Sequence, residues 1–556
     1  MKNISRRNFI KMSAASGLSL KWFTHVSLAN TPQLKTNSTF LHGVASGDPT
    51  QSSVIIWTRI SANFDAQVHW QIALDSDFNN IVRFGKTRTS SDKDYTIKID
   101  VSGLESGQTY YYRFENSKVY SEIGRTKTLP KGKVEQVNLA VVSCSNYPFG
   151  FFNAYEQIGL DKSIDFVLHL GDYIYEYGRE GWGAEVGKSL SREHFPEHET
   201  ITLQDYRQRH AQYKADYASR LMHAAHPLIP TWDDHESANN PYMNGAQNHD
   251  KSEGDWLKRR DASVQAYYEW MPIREPKNIA QRTELWRYYQ IGDLLSLSTL
   301  ETRHTGRTKQ IDYADILPNL STRHDRDNFM QNVLGDPSRN MISATMQDFV
   351  VNNIAQSKQD NIAWRVVGNQ IPMARTHVPN ITNKFNSDKV HKSDPISEEL
   401  AHLTKLGELD LPIYLDTWDG YAAAREAFYK AFKDKGVQDL IVLTGDSHSF
   451  WANQLYSDDK QKMGIEIGTA GVTSPGDFER MGANGAKMFD QLLSEHNDEV
   501  LWTSCQHRGY VKLSLNHSKA KVEYLAVSTV MSSDYETSVV RTFDILKENN
   551  SLRFDI

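Results

Sequence analysis

The chain has 556 residues, a net charge of −7, and a composition that is 39% hydrophobic, 11% aromatic and 24% charged. Such a composition supports a sizeable buried core and excludes both a disordered chain and a single small module. The slightly acidic balance, with a pI near 6.3, excludes the strong basic field that holds nucleic acid, and two cysteines, Cys144 and Cys505, exclude a disulfide framework while allowing one bridge.

The first segment reads Ser5-Arg6-Arg7-Asn8-Phe9-Ile10-Lys11, then a mildly apolar Met12 to Leu20, Lys21, and the small-residue stretch Ser27-Leu28-Ala29. Residues 1–29 therefore resemble a twin-arginine signal peptide, which implies the twin-arginine translocation machinery as a partner and a periplasmic or secreted destination. The competing reading is an amphipathic helix with an incidental Arg pair. Lys11 and Lys21 break the apolar stretch short of the ~20 residues a membrane span needs, so no transmembrane segment is expected. That route carries folded proteins, commonly with a cofactor already inserted, which makes a metal site worth seeking.

Strand periodicity follows. Val68, Trp70, Ile72 and Leu74 alternate with polar or small neighbours, as do Tyr110, Tyr112 and Phe114. Between them, Leu104 to Tyr110 is similar to the corner of fibronectin-like sandwiches, where a Tyr hydroxyl ties the chain to upstream backbone. Residues 40–128 are predicted to form an N-terminal fibronectin-like β-sandwich, ended by Pro130-Lys131-Gly132-Lys133.

Beyond it, Val137 to Val142, Phe166 to Leu170, Leu228 to Trp232, Trp364 to Val367 and Leu440 to Leu443 are nearly continuous apolar runs. Runs of this kind are strands covered on both faces, and they alternate with helical stretches in an α/β pattern. Trp418 to Lys435 is predicted to be a helix ended by Gly436. The polar stretches 178–200 and 376–410 read as surface loops. This second, catalytic domain is taken as 137–535, followed by a C-terminal segment, 536–556, and the chain is expected to be a monomer.

Chemistry-bearing residues collect where these strands end. Ser143-Cys144-Ser145-Asn146 follows the first run, Gly171-Asp172-Tyr173-Ile174-Tyr175 the second, Trp232-Asp233-Asp234-His235-Glu236 the third, and Gly445-Asp446-Ser447-His448 the last. Open α/β sheets build their sites at this edge. Taken singly, each cluster has a bland reading: a Gly-Asp turn, a buried cysteine, a hydrogen-bonded histidine. Four such clusters on one edge instead point to a shared metal centre.

Gly-Asp-x-x-Tyr, Asp-His-Glu and Gly-Asp-x-His, in that order, resemble the binuclear metallophosphatases. With Cys in the first motif, the chain is most similar to the PhoD-like alkaline phosphatase family within that superfamily. His42 to Pro49, Ile55 to Arg59, Asp205-Tyr206-Arg207, Trp418 to Tyr421 and Gly509-Tyr510 extend the likeness over nearly the whole chain. The resemblance implies an α+β chain in which the N-terminal sandwich precedes a large αββα metallophosphatase domain, with Fe3+ and Ca2+ as cofactors. It assigns Cys144, Asp172 and Tyr175 to the iron, with Asp172 bridging, and Asp234, Asp446 and His448 to the metal cluster at large. Thiolate and phenolate suit a trivalent iron and carboxylates suit calcium. His235 is expected to assist the leaving group or to orient Asp234, and Arg303 to contact phosphate with its guanidinium fork. Relatives usually carry Asp where this chain has Glu301.

The implied activity is hydrolysis of phosphomonoesters and phosphodiesters by metal-activated water or an oxo or hydroxo group, without a covalent enzyme intermediate. A narrower phosphodiesterase, acting on phospholipid head groups, teichoic-acid-like polymers or nucleotides, is the neighbouring reading. A secreted non-catalytic binding protein is the third, and it predicts eroded ligands. Three further features read as structural: His194 and His198 in a solvated loop, Lys258-Arg259-Arg260 on a charged helix face, and the aromatics of the helical stretch Leu203 to His226 as packing, with a lid role for that stretch left open by the sequence. A Cys144–Cys505 bridge would deprive the iron of its thiolate. Whether the last residues, Tyr535 to Ile556, gate the site is left open by the sequence.

Overall fold

The computed structural model describes residues 39–382, 384 and 395–555. The predicted signal peptide, residues 1–29, lies outside the described residues. Among the described residues, ten strands form a first sheet in the order Ser551–Asp555, Thr537–Glu548, Ala520–Val527, Arg508–Asn516, Gln136–Val142, Phe166–His169, Pro227–Pro230, Val44–Gly47, Ser53–Arg59 and Thr96–Ser102. Seven more form a second sheet, in the order Arg287–Ile291, Leu295–Thr299, Trp364–Gly368, Leu440–Thr444, Lys462–Gly468, Phe450–Tyr456 and Val500–Ser504.

The near-continuous apolar runs are explained by where their alternating side chains go. Leu139, Val141, Phe166 and Leu168 of the first sheet meet Val366, Ile441, Leu443 and Ile465 of the second in one buried cluster between the sheets. Ala140, Val142 and Val167 point the other way, against Tyr155, Tyr206, Met222 and Tyr267 of the helices Asn153–Leu160, Leu203–Ala215, Tyr217–Ala225 and Trp256–Trp270. Leu440 and Val442 pack outward against Val350 and Phe428 of the helices Ala344–Gln359 and Ala422–Asp434. The result is a helix–sheet–sheet–helix sandwich, whose inner faces bury apolar surface worth roughly 25 cal/mol per Å2.

The N-terminal region is two packed β-layers, but one of them is shared. Ile81–Thr89, Ala66–Ala73, Thr109–Asn116, Val119–Tyr120 and Gly124–Lys127 form a separate five-stranded sheet. The facing layer is the end of the ten-stranded sheet, since Val44–Gly47 pairs in parallel with Pro227–Pro230 and antiparallel with Ser53–Arg59. Val54, Ile56 and Ile97 from this layer pack on Val68, Ile72, Tyr112 and Phe114 from the other. Tyr110 Oη accepts a hydrogen bond from Glu105 N at 2.9 Å, tying the corner.

Three expectations are modified. Residues 178–200 are not simply a surface loop: they include a short helix, Ala184–Leu190, and bury Arg192, His194 and Thr200. The reason is pairing, because Arg192 meets Asp216 at 2.9 Å and lies 3.7 Å over the Tyr147 ring, while His194 Nε2 is 3.0 Å from Tyr213 Oη. Within 376–410 the polar sequence hides a helix, Pro395–Glu408, whose Leu403 and Leu406 pack with Val378 and Ile381. The helix predicted from Trp418 begins as a tight 3-10 turn, Trp418–Tyr421, and is α-helical over Ala422–Asp434. The C-terminal strands sit at the edge of the first sheet and put Phe543, Ile545, Leu552 and Phe554 into the inter-sheet core. No described helix is long and apolar enough to cross a membrane.

Candidate active site

The four polar clusters leave the ends of strands Gln136–Val142, Phe166–His169, Pro227–Pro230 and Leu440–Thr444 and converge where the two sheets meet. Sharp reversals make this possible. Cys144, Asp172, Asp446 and His448 have φ of 61°, 55°, 62° and 54°, a left-handed backbone that costs non-glycine residues of order 1 kcal/mol or more and persists only where surroundings fix it. Those surroundings are visible. Cys144 N donates to Gly171 O at 3.2 Å and Ser145 N to Asp172 O at 2.9 Å. The Glu236 carboxylate accepts from Asp172 N, Tyr173 N and Asp233 N at 3.0, 2.7 and 2.8 Å, buckling two of the loops together. Gly171, at φ 101°, is where they come closest: a Cβ there would lie 2.3 Å from Asp233 N.

Three groups of donors result, the ligand atoms of each lying within 4.8 Å of one another: Cys144, Asp172 and His448; Asp172, Asp234 and His235; and Asp233, Asp234 and Asp446. Asp172 and Asp234 each belong to two groups, so the three form one chain. Tyr175 joins the first, donating from Oη to Asp172 Oδ2 at 3.2 Å, with Ser474 Oγ 2.7 Å from the same Oη. All six residues given metal roles from the sequence are thus brought together. Asp233, not singled out from the sequence, lies among the candidate donors as well: it adjoins Asp234 at the same strand end, and sequence alone does not tell which of two neighbouring carboxylates turns inward. In the structure both do.

The electrostatics are those of a site deficient in positive charge. Burial, then Asp234 and the neighbouring carboxylates, pushes the Asp172 carboxyl well above its usual range. The Cys144 thiol is raised by burial and then by Asp172, and the Tyr175 phenol is raised in the same way. Asp233 Oδ2 and Asp234 Oδ1 are buried without a hydrogen-bond partner. Orphaned anionic oxygens beside a thiol and a phenol fit multivalent cations, which would let these groups ionise.

Two cations come from the chain itself. Arg303 is fully buried; its Nε donates to Asp233 Oδ1 at 2.5 Å and its Nη2 to Asp446 Oδ1 at 3.1 Å. The fork expected to meet phosphate is therefore turned onto two carboxylates, because buried anions need a paired charge. Glu301, the departure from the usual Asp, closes this loop: it accepts from Arg303 N, His304 N and Thr305 N at 2.9, 2.8 and 2.9 Å. His235 is the second cation. Burial alone would lower its pKa, but Asp234 and Glu176 raise it to about 9. Its Nδ1 donates to Glu176 Oε2 at 2.7 Å, and its Nε2 lies 3.9 Å from Asp234 Oδ2. His448 is held oppositely in charge, lowered to about 4 by burial; its Nδ1 bonds Pro475 O at 2.9 Å, leaving Nε2 for the donor cluster.

Residues outside the site also find their places. His194 is buried against Tyr213, whereas His198 is exposed and pairs with Asp205 at 3.0 Å. Arg259 is not on a solvated face but buried, with Glu199 at 2.7 Å and Tyr206 Oη at 3.1 Å. Cys144 and Cys505 are both free thiols, so the bridge considered from the sequence does not form.

Residues 139–524 match the family model described as PhoD-like phosphatase, and residues 27–130 the one described as its N-terminal domain. The chain belongs to the PhoD-like phosphatase family. It is 32% identical over 531 residues to alkaline phosphatase D of Bacillus subtilis (strain 168), covering 92% of this chain and 82% of that protein. The solved structure of PhoD superposes with a TM-score of 0.75 at 30% identity, over 94% of this chain and 93% of that one. Membership of the PhoD-like family makes the protein a phosphoric ester hydrolase, and the convergent carboxylates, thiol, phenol and imidazoles are where such chemistry would be done.

Proposed function

We propose that the protein is an exported, metal-dependent phosphoesterase acting on both phosphomonoesters and phosphodiesters, with Fe3+ and Ca2+ as its ions. The observation that carries this reading is the convergence of two donor groups, Cys144, Asp172 and His448 on one side and Asp233, Asp234 and Asp446 on the other, with Asp172 and Asp234 themselves within reach of each other. Cys144, Asp172, Tyr175 and His448 offer one thiolate, one carboxylate, one phenolate and one imidazole, a donor set for trivalent iron. Asp233, Asp234 and Asp446 offer only carboxylate oxygens, which suit calcium. Ions held there would neutralise phosphoryl oxygens and lower the pKa of water.

The chain's own groups supply the rest. Arg303 holds Asp233 and Asp446 on either side of its guanidinium, keeping two like charges apart. Glu176 accepts from His235 Nδ1 and so turns Nε2 toward Asp234, the position from which the ring would assist a leaving oxygen. The twin-arginine pattern in residues 1–29 supports export to the periplasm or beyond.

Elemental analysis of protein purified without chelator should find iron and calcium. Turnover of p-nitrophenyl phosphate and bis(p-nitrophenyl) phosphate should be lost on chelation and restored by the ions. Undiminished turnover by metal-free protein would overturn the metal reading.

A further inference from the structure

In the segment 178–200, Trp182, between Gly181 and Gly183, is half-buried, so that part of its indole stays open to solvent beside the donor cluster. Its ring stacks on His448 at 5.5 Å and 19° and lies near-parallel to His235 at 6.3 Å and 29°. It also leans on Tyr175 at 5.6 Å, with Phe149 and Tyr177 at its edges, 4.9 and 6.2 Å away. The segment is pinned in place: a Cβ on Gly183, whose φ is 95°, would come within 3.0 Å of the Phe149 ring and of Pro148.

His448 and His235 belong to different donor groups, joined through Asp172. The indole thus lies against imidazoles of two donor groups, beside the cluster where a phosphoryl group would sit. The ligand groups of that cluster are charged or polar, and Trp182 is a flat apolar surface beside them. We propose that Trp182 is a specificity-determining residue: it offers the leaving group of a phosphate ester a stacking face, so that aromatic and heteroaromatic leaving groups are favoured over alkyl ones. This rests on the phosphoesterase reading above and names the class of ester that site prefers. Offset stacking of two rings gives a selective gain that an alkyl chain of similar volume does not match.

The test separates binding from turnover. The dissociation constants of phenylphosphonate and methylphosphonate are measured by calorimetry on the metal-loaded protein, alongside kcat/KM for phenyl phosphate and an alkyl phosphate. The wild type should bind the phenyl compound more tightly, and Trp182→Ala should reduce that preference by about 2- to 10-fold, the worth of one aromatic pair. Trp182→Phe should keep most of it. The proposal is overturned if neither phosphonate binds the wild type, if the two bind equally, or if Ala and Phe variants lose phenyl and alkyl ligands alike, which would mean that the indole only holds the two imidazoles. A wild type that hydrolyses no ester would refute the phosphoesterase reading, while the phosphonate ratio would still decide the role of Trp182.

Discussion

Asp172 is the residue on which the site turns. It shares a donor group with Cys144 and His448 and another with Asp234 and His235, accepts from Tyr175, and sits in a left-handed turn held by Glu236. Asp172→Asn keeps the shape and removes one anionic charge. It should cut turnover by at least about 100-fold, beyond the loss seen when only a supporting partner of a ligand is removed, with a matching fall in metal content. Ferric iron bound by thiolate and phenolate should absorb visible light, and Cys144→Ala should lower the iron content, weaken that absorption and remove most activity; a variant with full iron and full rate would refute the ligand assignment. The sequence made these residues legible because each follows directly on a strand run, so chain position and chemistry agree. Arg303 was harder to read: an arginine near a phosphate site is ambiguous in sequence, and only the buried Asp233 and Asp446 carboxylates show where its fork goes.

Elements fix what residues alone cannot. The strand Phe166–His169 must turn sharply at Gly171 to bring Asp172 inward past Asp233, and this is a place where only glycine fits. Gly171→Ala should lower the melting temperature by several degrees, a cost of about 1–3 kcal/mol for strained backbone, and lower activity beyond what stability explains. The strand Lys462–Gly468 offers a pH test. Glu466, buried on it, accepts from Met373 N at 2.6 Å, Ala374 N at 2.9 Å and Asn453 Nδ2 at 2.8 Å. Burial nonetheless raises its pKa from 4.5 to about 7. A carboxyl raised on folding gives stability that is full below about pH 4.5 and falls as pH rises through 7, since the unfolded chain releases the proton first. Glu466→Gln should therefore melt higher than wild type at pH 8, by on the order of 2 °C, with the difference shrinking toward pH 5; a constant difference across that range would refute it. The elements around 178–200 and 376–410 were hidden from sequence because their polar side chains pair with one another instead of facing water, as Arg192 does with Asp216.

At the scale of the molecule, the N-terminal region and the sheet that carries Cys144 and Asp172 are one structure. Ser46 and Gly47 pair with Pro227 and Leu228, and Trp57 Nε1 donates to Glu269 O at 2.8 Å across 212 residues. Calorimetry should therefore show one unfolding transition rather than two. Removing residues up to 128 would leave Pro227–Pro230 as a bare sheet edge, and the product should aggregate; a soluble, active truncation with unchanged melting would show the shared sheet to be dispensable. The sequence by itself determined the covered strands, the polar clusters at their ends and the family, because apolar runs and strand-end motifs are local patterns written in consecutive residues. Only the tertiary structure decided that the N-terminal layer continues the main sheet, that the Asp233 carboxylate lies among the candidate donors, that Arg303 pairs with carboxylates and that Trp182 stacks against His448. Those are contacts between residues tens to hundreds of positions apart, and their energies depend on burial and charge that exist only once the sheets have packed.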